Sequence, residues 1–223
     1  MIILRIYPIR ELNQVWDDIV RNVAALSNEH STPLYLSQQE EKNFLSIIYD
    51  VKDADSFGDI IVQSIPSTLN PEKTRTITLL KPVFFPAPRD RPANLERYQV
   101  ALQARTNELE SVFRHIVHLN YPKDVFPTYA AYSFGEDDIL TSMLSVGRHR
   151  IEEFIAQNVQ PETGVEHVEI SRIGMSRRLA PPGMWKDYRE SRYLFKPTPQ
   201  YEDYDFTELA ALSGAFVHEV SVD

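Results

Sequence analysis

Six stretches of strand-like or helix-like hydrophobic pattern occur in one order near the start of this chain, and the same six recur in the same order further on. The first strand pattern opens at Ile2 and again at Tyr98, 96 positions on. The third opens at Phe44 and again at Asp138, 94 positions on. A chain that repeats six elements at a nearly constant offset is built from two copies of one unit. Each copy reads strand, helix, strand, strand, helix, strand, which is the split βαβ pattern of ferredoxin-like domains.

Periodicity places the elements. In the first copy, residues 2–7 form an apolar strand and residues 11–27 a helix, with Leu12, Val15, Trp16, Ile19, Val23 and Leu26 on one face. Strands are expected at 32–36, 44–51 and 74–80. A second helix carries Phe57, Ile60, Ile61 and Ile65 as its stripe, capped by Asp53 or Asp55 and limited by Pro66. In the second copy, strands are expected at 98–105, 128–134, 138–146 and 165–175. Its helices span 107–119, with Asn107 as N-cap, and 148–159.

The domain boundaries follow. Residues 1–81 are the first unit, 82–96 a linker, 97–178 the second unit, and 179–223 an extension. The linker region holds Pro82, Pro86, Pro88 and Pro92, so it reads as stiff and extended. The extension is aromatic, with Trp185, Tyr188, Tyr193, Phe195, Tyr201, Tyr204 and Phe206, and is expected to pack on the body or on a neighbouring subunit. Seven basic residues between Ser171 and Lys196 precede six acidic ones between Pro197 and Asp223. Pairing between these two runs is the simplest reading. The alternative is single-stranded nucleic acid on the basic run with its interleaved Trp185 and Tyr188.

The net charge is −9, which suits nucleic acid poorly because that affinity comes largely from neutralising phosphates. Direct nucleic-acid binding is therefore not expected. There are no cysteines, so disulfides, thiolate metal sites and thiol nucleophiles are excluded. No 18-residue apolar run and no signal-peptide pattern are present, and a cytoplasmic protein is expected. No Gly-x-Ser-x-Gly elbow, Walker loop or dinucleotide fingerprint appears among the seven glycines.

Several short runs resemble the Lrp/AsnC-type ligand-binding domain of the dimeric α+β barrel superfamily. In the first copy these are residues 45–51, the helix after them, and 74–81. In the second they are Gly135-Glu136-Asp137-Asp138, similar to the family's Gly-spacer-Asp loop, and Gly164-Val165 before the last strand. The resemblance implies an α+β fold in which two tandem ferredoxin-like (βαββαβ) units pack their antiparallel sheets face to face as an α+β barrel. It also implies a small-molecule ligand, such as an amino acid, and assembly into a homo-oligomer. The chain departs from the family in two ways. It begins on a strand with no helix-turn-helix before it, and the first copy has residues 38–43 where the Gly-spacer-Asp loop belongs.

Chemistry is expected in the second copy. Gly135, Asp137 and Asp138 form the loop that would hold an amino group through charge-assisted hydrogen bonds. Arg105, Gln103, Gln99, Tyr129, Thr141 and Met143 occupy alternate strand positions and would line a partly polar cavity. Of these, Arg105, Thr141 and Met143 join the loop as the expected ligand-binding set. No catalytic residue and no metal ligand are assigned, and no cofactor is expected. Haem is the alternative cofactor, with His167 as the axial ligand. His115 and His118, three apart on a helix, have metal-ligand spacing but no third ligand by spacing and read as a solvated face. The expected function is a non-enzymatic, small-molecule-sensing regulatory module acting through oligomeric assembly. The alternative is an α+β barrel enzyme, haem-dependent or a cofactor-free monooxygenase, using a polar cavity.

Overall fold

The computed structural model describes residues 1–8, 16–42, 44–65, 69, 71–85, 87–135, 137–179 and 204–205. The chain divides into two compact units. Unit 1 takes Met1–Thr78 and a returning segment from Gly174, and unit 2 takes Leu79–Ile173. The fold is α+β, and each unit is ferredoxin-like.

Unit 1 contains β1 (Ile2–Pro8), α1 (Trp16–Ala25), β2 (Ser31–Gln39), β3 (Phe44–Val51), α2 (Ala54–Asp59) and the start of β4 (Pro71–Phe84). A π-helical turn, Ile60–Ser64, continues α2. The pairings give the antiparallel order β4–β1–β3–β2. Its helices cover one face. Leu4, Ile6, Leu36, Leu45, Ile47 and Tyr49 of the sheet pack against Ile19, Val23, Phe57, Ile60 and Ile65. The 3.6-residue stripe and the two-residue strand alternation predict this contact. Asp53 is the cap of α2: its carboxylate accepts from the Ser56 amide at 2.9 Å and the Ser56 hydroxyl at 2.5 Å. Residues 11–15 of the expected first helix lie outside the described residues.

Unit 2 contains β5 (Glu96–Ala104), α3 (Leu109–His118), β6 (Val125–Phe134), β7 (Ile139–Ser145), α4 (Arg148–Asn158) and most of β8 (Val165–Arg178). The order is β8–β5–β7–β6, the same as in unit 1. Phe113 of α3 stacks on Tyr132 of β6 at 4.1 Å between ring centroids, which marks the helix-covered face. Asn107 does not cap α3. The cap position is Glu108, and the Asn107 amide reaches only the Glu108 carboxylate, at 3.5 Å.

The units match in detail as well as in order. In β2 the pairing with β3 slips between Pro33 and Tyr35, and in β6 the pairing with β7 slips between Pro127 and Tyr129. These are bulges of one extra residue, Leu34 and Thr128. Proline has no amide to give the ladder, so a strand that contains it is eased by a bulge there. A second bulge falls at Tyr7/Pro8 opposite β4 and at Gln103/Ala104 opposite β8. Duplication is therefore written into the ladder irregularities.

β4 and β8 are each 14 residues long, and each leaves the unit in which it starts. The end of β4 belongs to unit 2, where the Phe85 amide donates to the Thr128 carbonyl at 3.0 Å. The end of β8 belongs to unit 1, where the Leu179 amide donates to the Leu34 carbonyl at 3.0 Å. The expected linker thus begins inside a strand. Lys81, at φ +47°, is a non-glycine residue with positive φ within it. Of the C-terminal extension, Tyr204–Asp205 pair antiparallel with Ala87–Pro88. The aromatic and charged runs otherwise lie outside the described residues.

Candidate functional site

Directly paired residues on neighbouring strands share a face of the sheet. Applied to unit 2, the register sorts the expected site residues. Val100 pairs with Thr141 and with Ile170, and Tyr98 pairs with Met143 and Arg172. These share the helix-covered face with Tyr132, which pairs with Ile139. Gln99 pairs with Ser142 and Ser171, and Ser142 pairs with Tyr129. These lie on the other face, which is free of helices.

One row across all four strands of that helix-free face is polar: Ser171, Gln99, Ser142, Tyr129. All four are buried. Arg97, on the same face and also buried, donates from Nη1 to the Ser142 hydroxyl at 3.3 Å. The next row is Glu169, Ala101, Leu140 and Ala131. Chemically the polar row offers hydroxyl and amide groups that both donate and accept, and one guanidinium. It contains no carboxylate and no histidine, so it stabilises negative charge better than it abstracts a proton.

The corresponding row of unit 1 is Ile77, Ile3, Ile48 and Tyr35. Three of its four side chains are aliphatic. Unit 1 carries its buried polar groups Arg5, Ser37 and Ser46 one row over.

The expected ligand set is divided by the structure. Thr141 and Met143 lie under the helices, and Thr141 Oγ1 donates to the Tyr129 carbonyl at 2.7 Å. Gly135 adopts φ +138°, a conformation that glycine tolerates without strain. One Asp138 carboxylate oxygen accepts from the Ala104 amide at 2.8 Å, and the Asp138 amide donates to the Leu102 carbonyl at 2.9 Å. That carboxylate therefore stitches the loop to the end of β5, beside the bulge. Arg105 follows immediately, exposed, with Nε 3.5 Å from Glu166. Gly135, Asp138 and Arg105 thus gather at one end of the sheet, away from Thr141 and Met143. Gln99, Tyr129 and the unforeseen Ser142, Ser171 and Arg97 make up the polar row.

His167 pairs with Gln103 at the bulged end of β8, and both are exposed. Of the remaining described histidines, His30, His118 and His149 are exposed. His115 is half-buried, with Nε2 donating to the Asn158 carbonyl at 2.7 Å. No described histidine is a buried residue on the helix-free face, so the residues present do not fit a haem held by an axial histidine. No group of three metal-ligating side chains occurs among the described residues. From the basic run, Arg172 pairs with Glu96 at 2.9 Å, and Glu96 accepts from the buried Tyr98 hydroxyl at 2.5 Å. Burial first, and then that hydrogen bond, push the Tyr98 phenol above its ordinary range. Arg172 is thus paired within unit 2. No described helix is long and apolar enough to cross a membrane.

No protein-family model matches the chain. No curated protein matches it either. Solved structures do match. The siroheme decarboxylase NirDL shares the fold with a TM-score of 0.54 at 8% identity, over 79% of this chain and 72% of that one. The same enzyme in complex with an iron-uroporphyrin III analogue gives 0.51 at 8% identity, over the same shares. A chlorite dismutase from Candidatus Nitrospira defluvii gives 0.47 at 10% identity, over 78% and 91%. The two NirDL likenesses support the ferredoxin-like α+β barrel fold that the sequence resemblance implied. They do not support the Lrp/AsnC family specifically.

Proposed function

We propose that this chain is an α+β barrel enzyme that binds a small organic substrate on the polar row of unit 2. The observation that carries the reading is the buried row Ser171–Gln99–Ser142–Tyr129, with Arg97 donating into it. Unit 1 builds the same sheet with a mainly aliphatic row at the corresponding position. The substrate this row suits presents oxygen or nitrogen atoms that donate and accept hydrogen bonds. Arg97 and the Tyr129 hydroxyl would then stabilise negative charge developing on an enol or phenol oxygen. That is the chemistry of a cofactor-free, monooxygenase-like enzyme: solvent takes the proton of the acidic enol or phenol, the resulting substrate anion supplies the electrons, and dioxygen leaves one atom in a new carbonyl and the other in water. That the fold is shared with an enzyme, the siroheme decarboxylase NirDL, supports the enzymatic part of the reading. A sensor working through the Gly135–Asp138 loop is less favoured, because one Asp138 oxygen already accepts from the Ala104 amide. Self-association into a homo-oligomer belongs to the same proposal.

The test is a panel of enolic and hydroxyaromatic compounds incubated with the purified full chain, with oxygen uptake and product mass recorded. Turnover is expected with wild type and is expected to be lost in Gln99→Leu and reduced in Tyr129→Phe, both still folded by circular dichroism. A panel without binding or turnover overturns the proposal, as does turnover that neither substitution changes. Haemin addition is expected to give no Soret band sensitive to His167→Ala.

A further inference from the structure

We propose that Ser133 is a specificity-determining contact of the substrate site in unit 2, and that the substrate is an elongated molecule with oxygen atoms at both ends of an apolar middle. The inference rests on the substrate row proposed above and adds its far end. Tyr132 of β6 stacks on Phe113 under the helices. The next side chain along the strand, Ser133, therefore points to the helix-free face, as Tyr129 and Ala131 do. The Ser133 amide keeps the ladder by donating to the Asp138 carbonyl at 2.8 Å. The residue is 2% exposed, and its hydroxyl has no hydrogen-bond partner among the described residues. Burying a hydroxyl costs its hydration, and nearly every buried one recovers that through a partner. One that does not, on the face that carries the substrate row, is available to a bound molecule.

The face is graded along β6. The polar row at Tyr129 comes first, then Ala101, Leu140 and Ala131 with Glu169 at the β8 margin, then Ser133. A strand rises about 3.3 Å per residue, so Ser133 stands about 13 Å beyond the polar row. A hydrogen bond at each end takes up to about 3 Å, which leaves a substrate whose outer oxygens are about 7–13 Å apart. The side chains between them on β5, β7 and β6 are apolar and favour a hydrocarbon middle. A serine hydroxyl both donates and accepts, so the far group is a hydroxyl or a carbonyl. Asp138, whose carbonyl accepts from the Ser133 amide, brings a carboxylate to this end of the sheet, which disfavours an anionic far group.

The experiment titrates the intact chain by calorimetry with para,para′-biphenol and, separately, with para-phenylphenol. The two share one skeleton and differ in the second hydroxyl, and the two biphenol oxygens lie within the span above. Wild type is expected to prefer the biphenol by about tenfold. Ser133→Ala is expected to erase that preference and leave the phenylphenol affinity unchanged. Its melting temperature without ligand is expected to match wild type, because the hydroxyl it removes has no partner. Gln99→Leu is expected to weaken both phenols. If neither phenol binds wild type, or if Gln99→Leu binds both as wild type does, the substrate row falls and this inference falls with it. If Gln99→Leu weakens both while wild type shows no preference, or Ser133→Ala keeps it, the row stands and this inference alone is overturned. A lower melting temperature in Ser133→Ala also overturns it, since the hydroxyl would then be committed to the fold.

Discussion

Replacing Thr141 by valine tests the assignment of sheet faces on which the site rests. Thr141 is 0% exposed, and its hydroxyl donates to the Tyr129 carbonyl at 2.7 Å. Valine has nearly the same shape, so no cavity forms and no strand propensity is lost. What is lost is one short buried hydrogen bond between neutral groups, and a carbonyl gives up an acceptor contact. The net cost is about 1–2 kcal/mol. For a chain of this length that lowers the thermal midpoint by about 2–8 °C. The side chain sits under the helices, so substrate binding on the opposite face should change less than about twofold at a temperature where both proteins are folded. The assay pairs urea or thermal unfolding with binding, and uses Gln99→Leu as the mirror case: binding lost and stability kept. If Thr141→Val keeps its stability and loses ligand, then Thr141 lines the site and the assignment of faces is wrong.

Three other outcomes follow from the geometry. Asp138→Ala removes the acceptor of the Ala104 amide and should cost about 1–3 kcal/mol, whereas Asp138→Asn, which keeps an oxygen there, should cost less; chemical denaturation separates the two. Gly164→Ala would place a Cβ 2.3 Å from the Glu108 Cβ at a φ of +97°, so a loss of roughly 2–4 kcal/mol is expected, read as a lowered denaturation midpoint. The Ser56 hydroxyl and then its amide hold the Asp53 carboxyl below its usual 3.8. A carboxyl whose folded pKa is depressed stabilises the fold above its unfolded pKa and loses that contribution as the pH falls through the folded value. The stability gap between wild type and Asp53→Ala should therefore be full at neutral pH and narrow as the pH falls below 3.8, as followed by unfolding curves across that range.

The elements and the duplication were legible because helix and strand periods are local and the two copies kept the same spacing. β5 even declares its two faces, with Tyr98, Val100 and Leu102 alternating with Arg97, Gln99 and Gln103. β7 does not. Ile139, Leu140, Thr141, Ser142 and Met143 mix polar and apolar groups on both faces, so its parity cannot be read without a partner strand. Thr141 and Met143 were grouped with Gln99 for that reason, and register separates them. The bulges had a signal that periodicity overlooks: Pro33-Leu34-Tyr35 and Pro127-Thr128-Tyr129 repeat a Pro-x-Tyr run 94 positions apart. Asp138 was read from its charge, although the role the structure gives one of its oxygens is to hold a backbone amide. A side chain's type does not say whether its hydrogen bonds are already committed.

The returning segment of β8 sets an order of assembly. Unit 1 includes residues that begin at Gly174, and Leu179 both bonds to β2 and packs against the unit 1 core. A ribosome that has released the first 78 residues has not yet made the strand that finishes them. At about 5–20 residues per second that strand is about 5–20 s away. Until then the edge of β2, in an incomplete sheet, offers its amides and carbonyls to any passing extended chain. The N-terminal half should thus be the part of the nascent protein most in need of a chaperone. Truncations ending between the two copies should aggregate, while a circular permutant that places residues 174–179 ahead of Met1 should fold as it is made.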